Sequence, residues 1–466
     1  MMNLHKEHIP LDKGSLRKYL SNEYYKATGK VANANALRDA IAMLSGAAIH
    51  DGETHPVKLR VAKLPGRVYL DLGNENWQVV EIDADGWRVV KDSPVRFRRP
   101  KGMLSLPVPT RGRPAVEILQ EVLNLKSEGE ARLLTGWLVN ALMEDGPFPV
   151  VEIFGEAGSA KSTATRVLKR TLDPSLAELR KAPNELRDLV VAANNCWIVV
   201  FDNVSSIPIW MSDFLCQLAT GGGLSVRQLY TDDDETIFDA KRPAVINGIT
   251  NLAERGDLLS RTIRLGLPYI DDSQRRTEED FFADFDRLHP ELLGGILDAL
   301  SGALRELPNV TVKQLPRMGD FAKTGIAIET ALKWPKGSFM DDYSANRDGG
   351  NDVALQASFI SEPLIEFITK ETTWTGTMTM LKAHLVGRIT DDDKNQRAWK
   401  ELKPSNLGKE LRRIQPNLRQ EGIMIELNSG SKRREITISL GDSGDSGDGK
   451  SSAPTPQPQL TDFGNS

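Results

Sequence analysis

Two cysteines and six histidines in 466 residues leave little material for disulfide or zinc chemistry. Cys196 and Cys216 sit among apolar neighbours (NNCWIVV and DFLCQLA), which reads as buried packing rather than a disulfide or a metal pair. The histidines (His5, His8, His50, His55, His289 and His384) are scattered, with no second ligand at helical or finger-like spacing, so a structural zinc site is not expected. No apolar run approaches the roughly 20 residues that a membrane helix needs. The opening MMNLHKEHIPLDKGSL has no apolar core of signal-peptide type. A cytoplasmic protein without a membrane partner is the expectation. One-sided charge is also missing: 59 Lys and Arg against 64 Asp and Glu give a net charge of -5. That is too near balance to advertise nucleic acid or a membrane surface, so any DNA-binding surface has to be local. The chain carries no repeat of solenoid or propeller length.

What is present is ordinary globular composition, 40% hydrophobic and 26% charged. The length corresponds to two to four domains of ~150 residues. Helical text over residues 15–48 gives way, from Val57 to about Val108, to short alternating aromatic-bearing runs such as RVYLDL and GWRVV, a small β-rich region. The stretch Pro107 to Pro114 reads as a linker and predicts a boundary near residue 113, with helical periodicity over 115–145. Residues 149–267 read strand, loop, helix, strand, helix, strand, helix, hairpin, strand, strand. Their apolar runs PVVEIF, WIVVF, PAVING and RTIRLGL are continuous, as in strands covered on both faces, which predicts α/β with a largely parallel sheet. Residues 275–345 read as mainly helical. Residues 352–440 show three helical patterns and then two strands, IMIEL and REITISL, the order of a winged helix. The expected domains are 1–113, 114–350 and 351–440, with a Gly/Ser/Asp/Pro-rich unstructured tail over 441–466.

Directly after PVVEIF comes Gly155-Glu156-Ala157-Gly158-Ser159-Ala160-Lys161-Ser162-Thr163, followed by helical text. A phosphate cradle needs glycine where the backbone turns tightly and points successive N–H groups inward, and a helix N-terminus adds donors and positive potential. Gly155 and Gly158 provide that freedom. Lys161 would reach the β- and γ-phosphates of a nucleotide, and Ser162 would place its hydroxyl on Mg²⁺. Ala160 stands where the usual pattern has glycine. The plain alternative is a Gly/Ser-rich turn capping a helix.

Forty-one residues after Lys161, the strand text WIVVF ends in Asp202. In a P-loop ATPase such an aspartate holds Mg²⁺ at the C-terminal edge of the sheet; the alternative is a helix N-cap. Asn203 comes next, where many such ATPases carry a glutamate that activates water. Asn247, at the end of PAVI, suits holding an attacking water, or is a turn residue before Gly248. Three arginines, Arg255, Arg261 and Arg264, flank the next strand. Such residues stabilise phosphoryl-transfer charge in trans or serve as surface ion-pair partners.

These features resemble the AAA+ ATPases, particularly the MCM-like and superfamily-3-like helicases of phages and other mobile elements. The form GSAKS is similar to the MCM version of the loop, and LLSR at 258–261 resembles that family's arginine-finger segment. WMSDFLCQLATGGGLSVRQLYTDDDE and RPAVINGI resemble prophage-borne ATP-binding proteins described as primase or helicase related. The resemblance runs from Pro149 to about Tyr343. It implies an α/β AAA+ P-loop core with a helical lid, ATP and Mg²⁺ as ligands, and a hexameric ring with ATP between subunits. By position it implies phosphate and metal contacts at Lys161 and Ser162, the Mg²⁺ acid at Asp202, sensor 1 at Asn247, the trans finger at Arg261 and sensor 2 at Arg317. Ser159, Ala160 and Thr163 complete the implied loop. Asn203 departs from the pattern. So does the segment SVRQLYTDDDETIFDAKRP, in the place of a DNA-tracking hairpin, whose expected tip is acidic (Asp232, Asp233, Asp234 and Glu235) with Arg227 and Lys241 on its flanks.

Between Lys394 and Arg434 stand eleven Lys and Arg against four Glu. In SNLGKELRRIQPNLRQ, Leu407, Leu411, Ile414 and Leu418 fall on one helical face, leaving Lys409, Arg412 and Arg413 outward, with Ser405 as the expected N-cap. Lys432, Arg433 and Arg434 sit at the expected wing. This is either a DNA surface that meets phosphates on both sides of a groove or a solvated basic face. A second basic cluster, Arg96, Arg98, Arg99, Lys101, Arg111 and Arg113, reads as channel lining or linker solvation. The leading expectation is a DNA helicase or translocase of a mobile element, acting in replication. The alternative is an ATP-switched initiator or loader with little turnover. A defence or signalling ATPase is a third, and no carboxylate cluster supports a primase.

Overall fold

The computed structural model describes residues 14–222, 224–227, 235–238, 241–249, 252–253, 255–312, 314–356, 358–390, 397–428 and 435–441, and every structural statement refers to these. Two compact units divide between Ala354 and Leu355.

The first unit opens with helices α1 (Ser15–Thr28) and α2 (Ala34–His50) and six short strands: β1 (Val57–Lys58), β2 (Val61–Leu64), β3 (Arg67–Asp71), β4 (Val79–Asp83), β5 (Gly86–Val90) and β6 (Arg96–Phe97). β2 to β5 form an antiparallel meander. The period of two divides its residues between its faces: Val68, Leu70, Val80 and Ile82 enter the main core, while Tyr69 and Val79 pack with Ala62 and Phe97 on the other side.

No break between compact units falls at the boundary expected near residue 113. Buried polar contacts tie the meander to the remainder of the first unit. Arg60, fully buried, donates from Nε to Asp173 Oδ1 (3.2 Å) and from Nη2 to the Leu104 carbonyl (2.8 Å). Trp87 Nε1 donates to Asp298 Oδ1 at 2.8 Å. The chain over residues 110–115 lies against Gly294 and Gly295, where an added Cβ would meet Thr110 O at 1.9 Å and Ala115 N at 2.7 Å. A side chain at either glycine would push the segment away.

Helices α3 (Ala115–Val122) and α4 (Glu128–Ala141) lead into the sheet. Its elements are β7 (Val150–Phe154), α5 (Lys161–Leu172), α6 (Leu186–Asn195), β8 (Val199–Phe201), α7 (Ile209–Thr220), the hairpin β9 (Leu224–Arg227) and β10 (Glu235–Phe238), β11 (Ala244–Gly248), α8 (Gly256–Leu259) and β12 (Thr262–Gly266). Four strands pair in parallel in the order β12-β7-β11-β8. Their continuous apolar text is buried along almost its whole length, as strands covered on both faces require. The strand expected between α5 and α6 is reduced to two isolated bridges, Ser175 to Met103 and Lys181 to Asp202. Three helices close the unit: α9 (Glu278–Glu306), α10 (Gly319–Leu332) and α11 (Ser338–Gln356). α9 starts where Thr277 caps the Asp280 N–H, with Glu278, Glu279 and Asp280 in its positive first turn.

The second unit comprises α12 (Ser361–Glu371), β13 (Thr373–Thr377), α13 (Met378–Val386), α14 (Arg397–Lys400), α15 (Pro404–Gln420), β14 (Ile423–Asn428) and β15 (Glu435–Leu440). Its antiparallel sheet has the order β13-β15-β14. The third strand, β13, was not expected; TWTGT is too short to show a period but is rich in β-branched threonine. Leu364, Phe367, Leu381, Leu407, Leu411, Ile414, Leu418, Ile436 and Ile438 belong to a core of its own.

Both cysteines are buried and unpaired. Among the described residues no helix is long and apolar enough to cross a membrane.

Candidate functional site

The strand order decides which side chains meet. β11 lies between β7 and β8, so Asn247 near its C-terminal end stands between the loop after β7 and the acid after β8. Asp202 Oδ1 accepts from the Ser162 hydroxyl at 2.8 Å and from Asn247 Nδ2 at 2.7 Å. The same Nδ2 donates to Thr165 Oγ1 at 2.7 Å, and Asn247 Oδ1 accepts the Asn203 N–H at 2.9 Å. Asn247 is 1% exposed, with both ends of its amide engaged. Thr165, one turn after Lys161 on α5, is a member of the cluster that sequence reasoning missed.

In the loop itself Gly155 and Gly158 have φ of 152° and 86°. Ala160, standing where glycine was expected, takes the left-handed conformation glycine would take, φ 62°, immediately before α5. The methyl group costs about 1–2 kcal/mol there and leaves the turn intact. Ser159 donates to the Glu156 carbonyl at 2.9 Å. Lys161 Nζ donates to that carbonyl at 2.6 Å, so its ammonium folds over the loop. Partial burial holds the Lys161 ammonium below its ordinary pKa, with the Asp202 charge opposing the shift. The first N–H groups of α5 complete an anion-attracting concavity, and the Ser162 hydroxyl and Asp202 carboxylate are hard oxygen donors of the kind a small divalent cation takes.

On the other flank of the loop opens a cleft of about 580 Å³. Val122 and Asn124 line it from the end of α3, Gly158 and Thr163 from the loop and α5, Arg275 from the segment leading into α9 and Phe281 from the first turn of α9. No motif pointed to residues 270–281, whose polar text has no period.

The arginines separate. Arg264 is buried and donates from Nε to Glu152 Oε2 at 3.0 Å, as a core ion pair between β12 and β7. Arg255 pairs with Asp213 at 2.9 Å. Arg261, with 12% of its side chain exposed, pairs with Asp257, as does Arg317 at 2.9 Å. Burial would raise the Asp257 carboxyl, but hydrogen bonding and charge from Arg261, with the charge of Arg317, hold it below the usual carboxylate range. Arg317 thus stands beside Arg261, delivered by the turn before α10 to Asp257 at the start of α8.

The hairpin β9–β10 forms as expected, but Asp232, Asp233 and Asp234 lie outside the described residues. Lys241 Nζ is engaged by the Asp145 carbonyl at 2.7 Å. Four members of the second basic cluster have partners: Arg99 on Asp71, Arg111 on Asp298, Arg113 on Glu121 and Glu291, and Arg98 on the Asn194 carbonyl.

On α15 the expected apolar face is buried, and Lys409 and Arg412 are exposed. Arg413 is not outward: it grips Glu410 from Nη2 at 2.6 Å and Nε at 3.1 Å, because it sits at the edge of the buried face one turn from that acid. The N-cap is Lys403 with Pro404 opening the helix, not Ser405, since proline suits the first turn, where no N–H partner is needed. Lys432, Arg433, Arg434 and the tail from 442 lie outside the described residues.

Residues 116–352 match the family model of the actinomycete integrative conjugative element replication protein, and residues 360–455 match the model of the C-terminal domain of that element's RepA. The chain belongs to this replication-protein family. It is accordingly a replication protein of a mobile element; the description names a conjugative element and says nothing of a prophage. No curated protein matches the chain. Among solved structures, the apo C-terminal region of NrS-1 is 12% identical over 78% of this chain and 95% of that one, with a TM-score of 0.34. The X-ray structure of JCV helicase is 14% identical over 51% of this chain and 64% of that one, with a TM-score of 0.25. Both likenesses are distant.

Proposed function

We propose that this replication protein is an ATP hydrolase, an AAA+ P-loop core with a helical lid, that works as a DNA helicase or translocase in an oligomeric, hexameric ring. The observation that carries the reading is the convergence of Ser162 and Asn247 on one carboxylate oxygen of Asp202, beside a glycine-bearing loop at the C-terminal edge of a parallel sheet. Open α/β sheets bind ligands at that edge. The loop N–H groups and Lys161 hold the ATP phosphates, for which the ammonium exchanges the Glu156 carbonyl for a stronger anionic acceptor. Ser162 and Asp202 are the residues that would hold Mg²⁺, which when bound neutralises phosphate charge. Asn247, fixed by Thr165 and the Asn203 N–H, orients the attacking water, with Asn203 beside it. Arg261, with Arg317 on the shared Asp257, is the group that reaches a neighbouring subunit's nucleotide. Lys409 and Arg412, on the recognition helix of a winged-helix domain, contact DNA phosphates, together with Lys432, Arg433 and Arg434.

The test is strand displacement from a labelled fork by purified full-length chain with ATP and Mg²⁺, alongside Lys161→Ala. ATP-dependent displacement abolished by the substitution is expected. Robust ATPase without displacement on forks of either polarity would sink the helicase assignment.

A second reading, an ATP-switched initiator or loader, is favoured by one feature. No carboxylate comes directly after Asp202: Asn203 occupies that position at φ 53°, its N–H held by Asn247. ATP-dependent protection of a single DNA site with negligible turnover would select this reading.

A further inference from the structure

The loop has two flanks with different chemistry. Ser162, Asp202 and Asn247 cluster on one, and none of the three lines the cleft on the other. If the reacting phosphate and its metal belong with the carboxylate, the cleft flank takes the part of the nucleotide that is not transferred. Arg275 stands on this flank. An added Cβ at Gly158 would meet Arg275 Nη2 at 2.6 Å, so the tip of the guanidinium rests directly beside the loop backbone. Asp272 Oδ1 holds Arg275 Nη1 at 2.8 Å, and the Tyr269 hydroxyl accepts from Nη2 at 3.1 Å. Both carboxylate and guanidinium are substantially exposed, at 80% and 46% of their side chains, so the ion pair adds little to stability. Its effect is to aim the cation. The neighbouring cleft charges are engaged elsewhere: Arg276 on Asp284, Glu121 on Arg113 and Glu278 on Arg166.

We infer that Arg275 is a same-chain clamp for the nucleoside-diphosphate portion of the nucleotide, binding ATP and ADP alike and distinct from the transfer machinery at Asp202. The inference rests on the nucleotide reading under Proposed function. A guanidinium on the proximal phosphates makes the same contacts before and after the terminal phosphate leaves, so it contributes binding common to substrate and product.

The experiment is equilibrium titration of the full chain with fluorescent N-methylanthraniloyl ADP and ATP in Mg²⁺, comparing wild type, Arg275→Ala and Arg275→Lys, with circular dichroism as the folding control. Loss of one charge-assisted contact predicts that Arg275→Ala weakens both nucleotides by the same factor, about 10- to 100-fold. Arg275→Lys, which keeps the charge but not the fork, is expected to recover part of that loss. Unchanged affinity in Arg275→Ala, or loss confined to ATP, overturns the inference while leaving the nucleotide site standing. If the wild-type chain binds neither nucleotide, the functional reading itself falls.

Discussion

The two compact units place their polar chemistry differently. In the first, the parallel strands are apolar along their length, and Ser162, Asp202 and Asn247 gather where those strands end. In the second, α15 buries Leu407, Leu411, Ile414 and Leu418 and displays Lys409 and Arg412 on its other side. A doubly covered sheet has no free face, so function is confined to its edge, where backbone N–H groups and strand-terminal side chains become available. A helix on a small core keeps an entire face for solvent or a partner. The edge site is therefore expected to be sensitive to each residue, and the helix face to be distributed and tolerant.

That contrast is open to direct measurement. The largest effect is expected at the edge. Lys161→Ala and Asn247→Ala should each lower ATP turnover by about 10²–10³-fold, as removal of a pre-positioned charge-stabilising group does. Steady-state phosphate release checks this; a loss under threefold for Asn247→Ala would show that the convergence on Asp202 is structural.

Acid should weaken the first unit through His289. Its Nε2 lies 3.1 Å from the Thr171 carbonyl at the far end of α5, and burial pushes its pKa down to about 4. The unfolded chain takes up this proton near pH 6.5 and the folded chain only near 4, so stability is full above 6.5 and declines as pH falls toward 4. The loss reaches about 3 kcal/mol. Thermal melts at pH 7.5 and 5 should show a drop that His289→Phe reduces; an equal drop in the variant would assign the acid sensitivity elsewhere.

On the helix face the effects are smaller and additive. Lys409→Ala combined with Arg412→Ala should reduce the slope of log affinity for duplex DNA against log salt by about 2, since each phosphate contact contributes about 0.9. An unchanged slope would remove α15 from the DNA interface. The smallest effect belongs to Arg413→Ala. Because the guanidinium is committed to Glu410, DNA binding should be unchanged, and melting should report a loss of about 0.3–0.5 kcal/mol, typical of a pair one turn apart. A fall in DNA affinity equal to that of Arg412→Ala would mean that the pair opens.

Much of the edge site was legible in the text. Strand, glycine loop, lysine and helix succeed one another locally, and WIVVF announces a buried strand with an acid at its end. The apolar face of α15 was readable for the same reason, since its periodicity is a property of adjacent turns. The basic cluster at 96–113 left two readings open because the acids that pair with it come from remote segments: Asp298 lies 187 residues from Arg111 and Glu291 178 residues from Arg113. The sensor-2 role of Arg317 was implied by motif position, whereas its ion pair with Asp257 could not be read from the text. The cleft segment 270–281 carried no functional signal, because a wall built from a helix end, a loop and a linker has no common period.

The sequence by itself determined which residues form the turn, which strands are buried and which helix face is apolar, because these depend on backbone freedom and side-chain periodicity over a few neighbouring positions. Only the tertiary structure decided that β11 enters between β7 and β8 and brings Asn247 to Asp202, that Arg275 rests on Gly158, and that Arg261 and Arg317 share one carboxylate. Strand order and ion-pair choice depend on how distant segments pack, and many pairings of the same side chains satisfy any local rule.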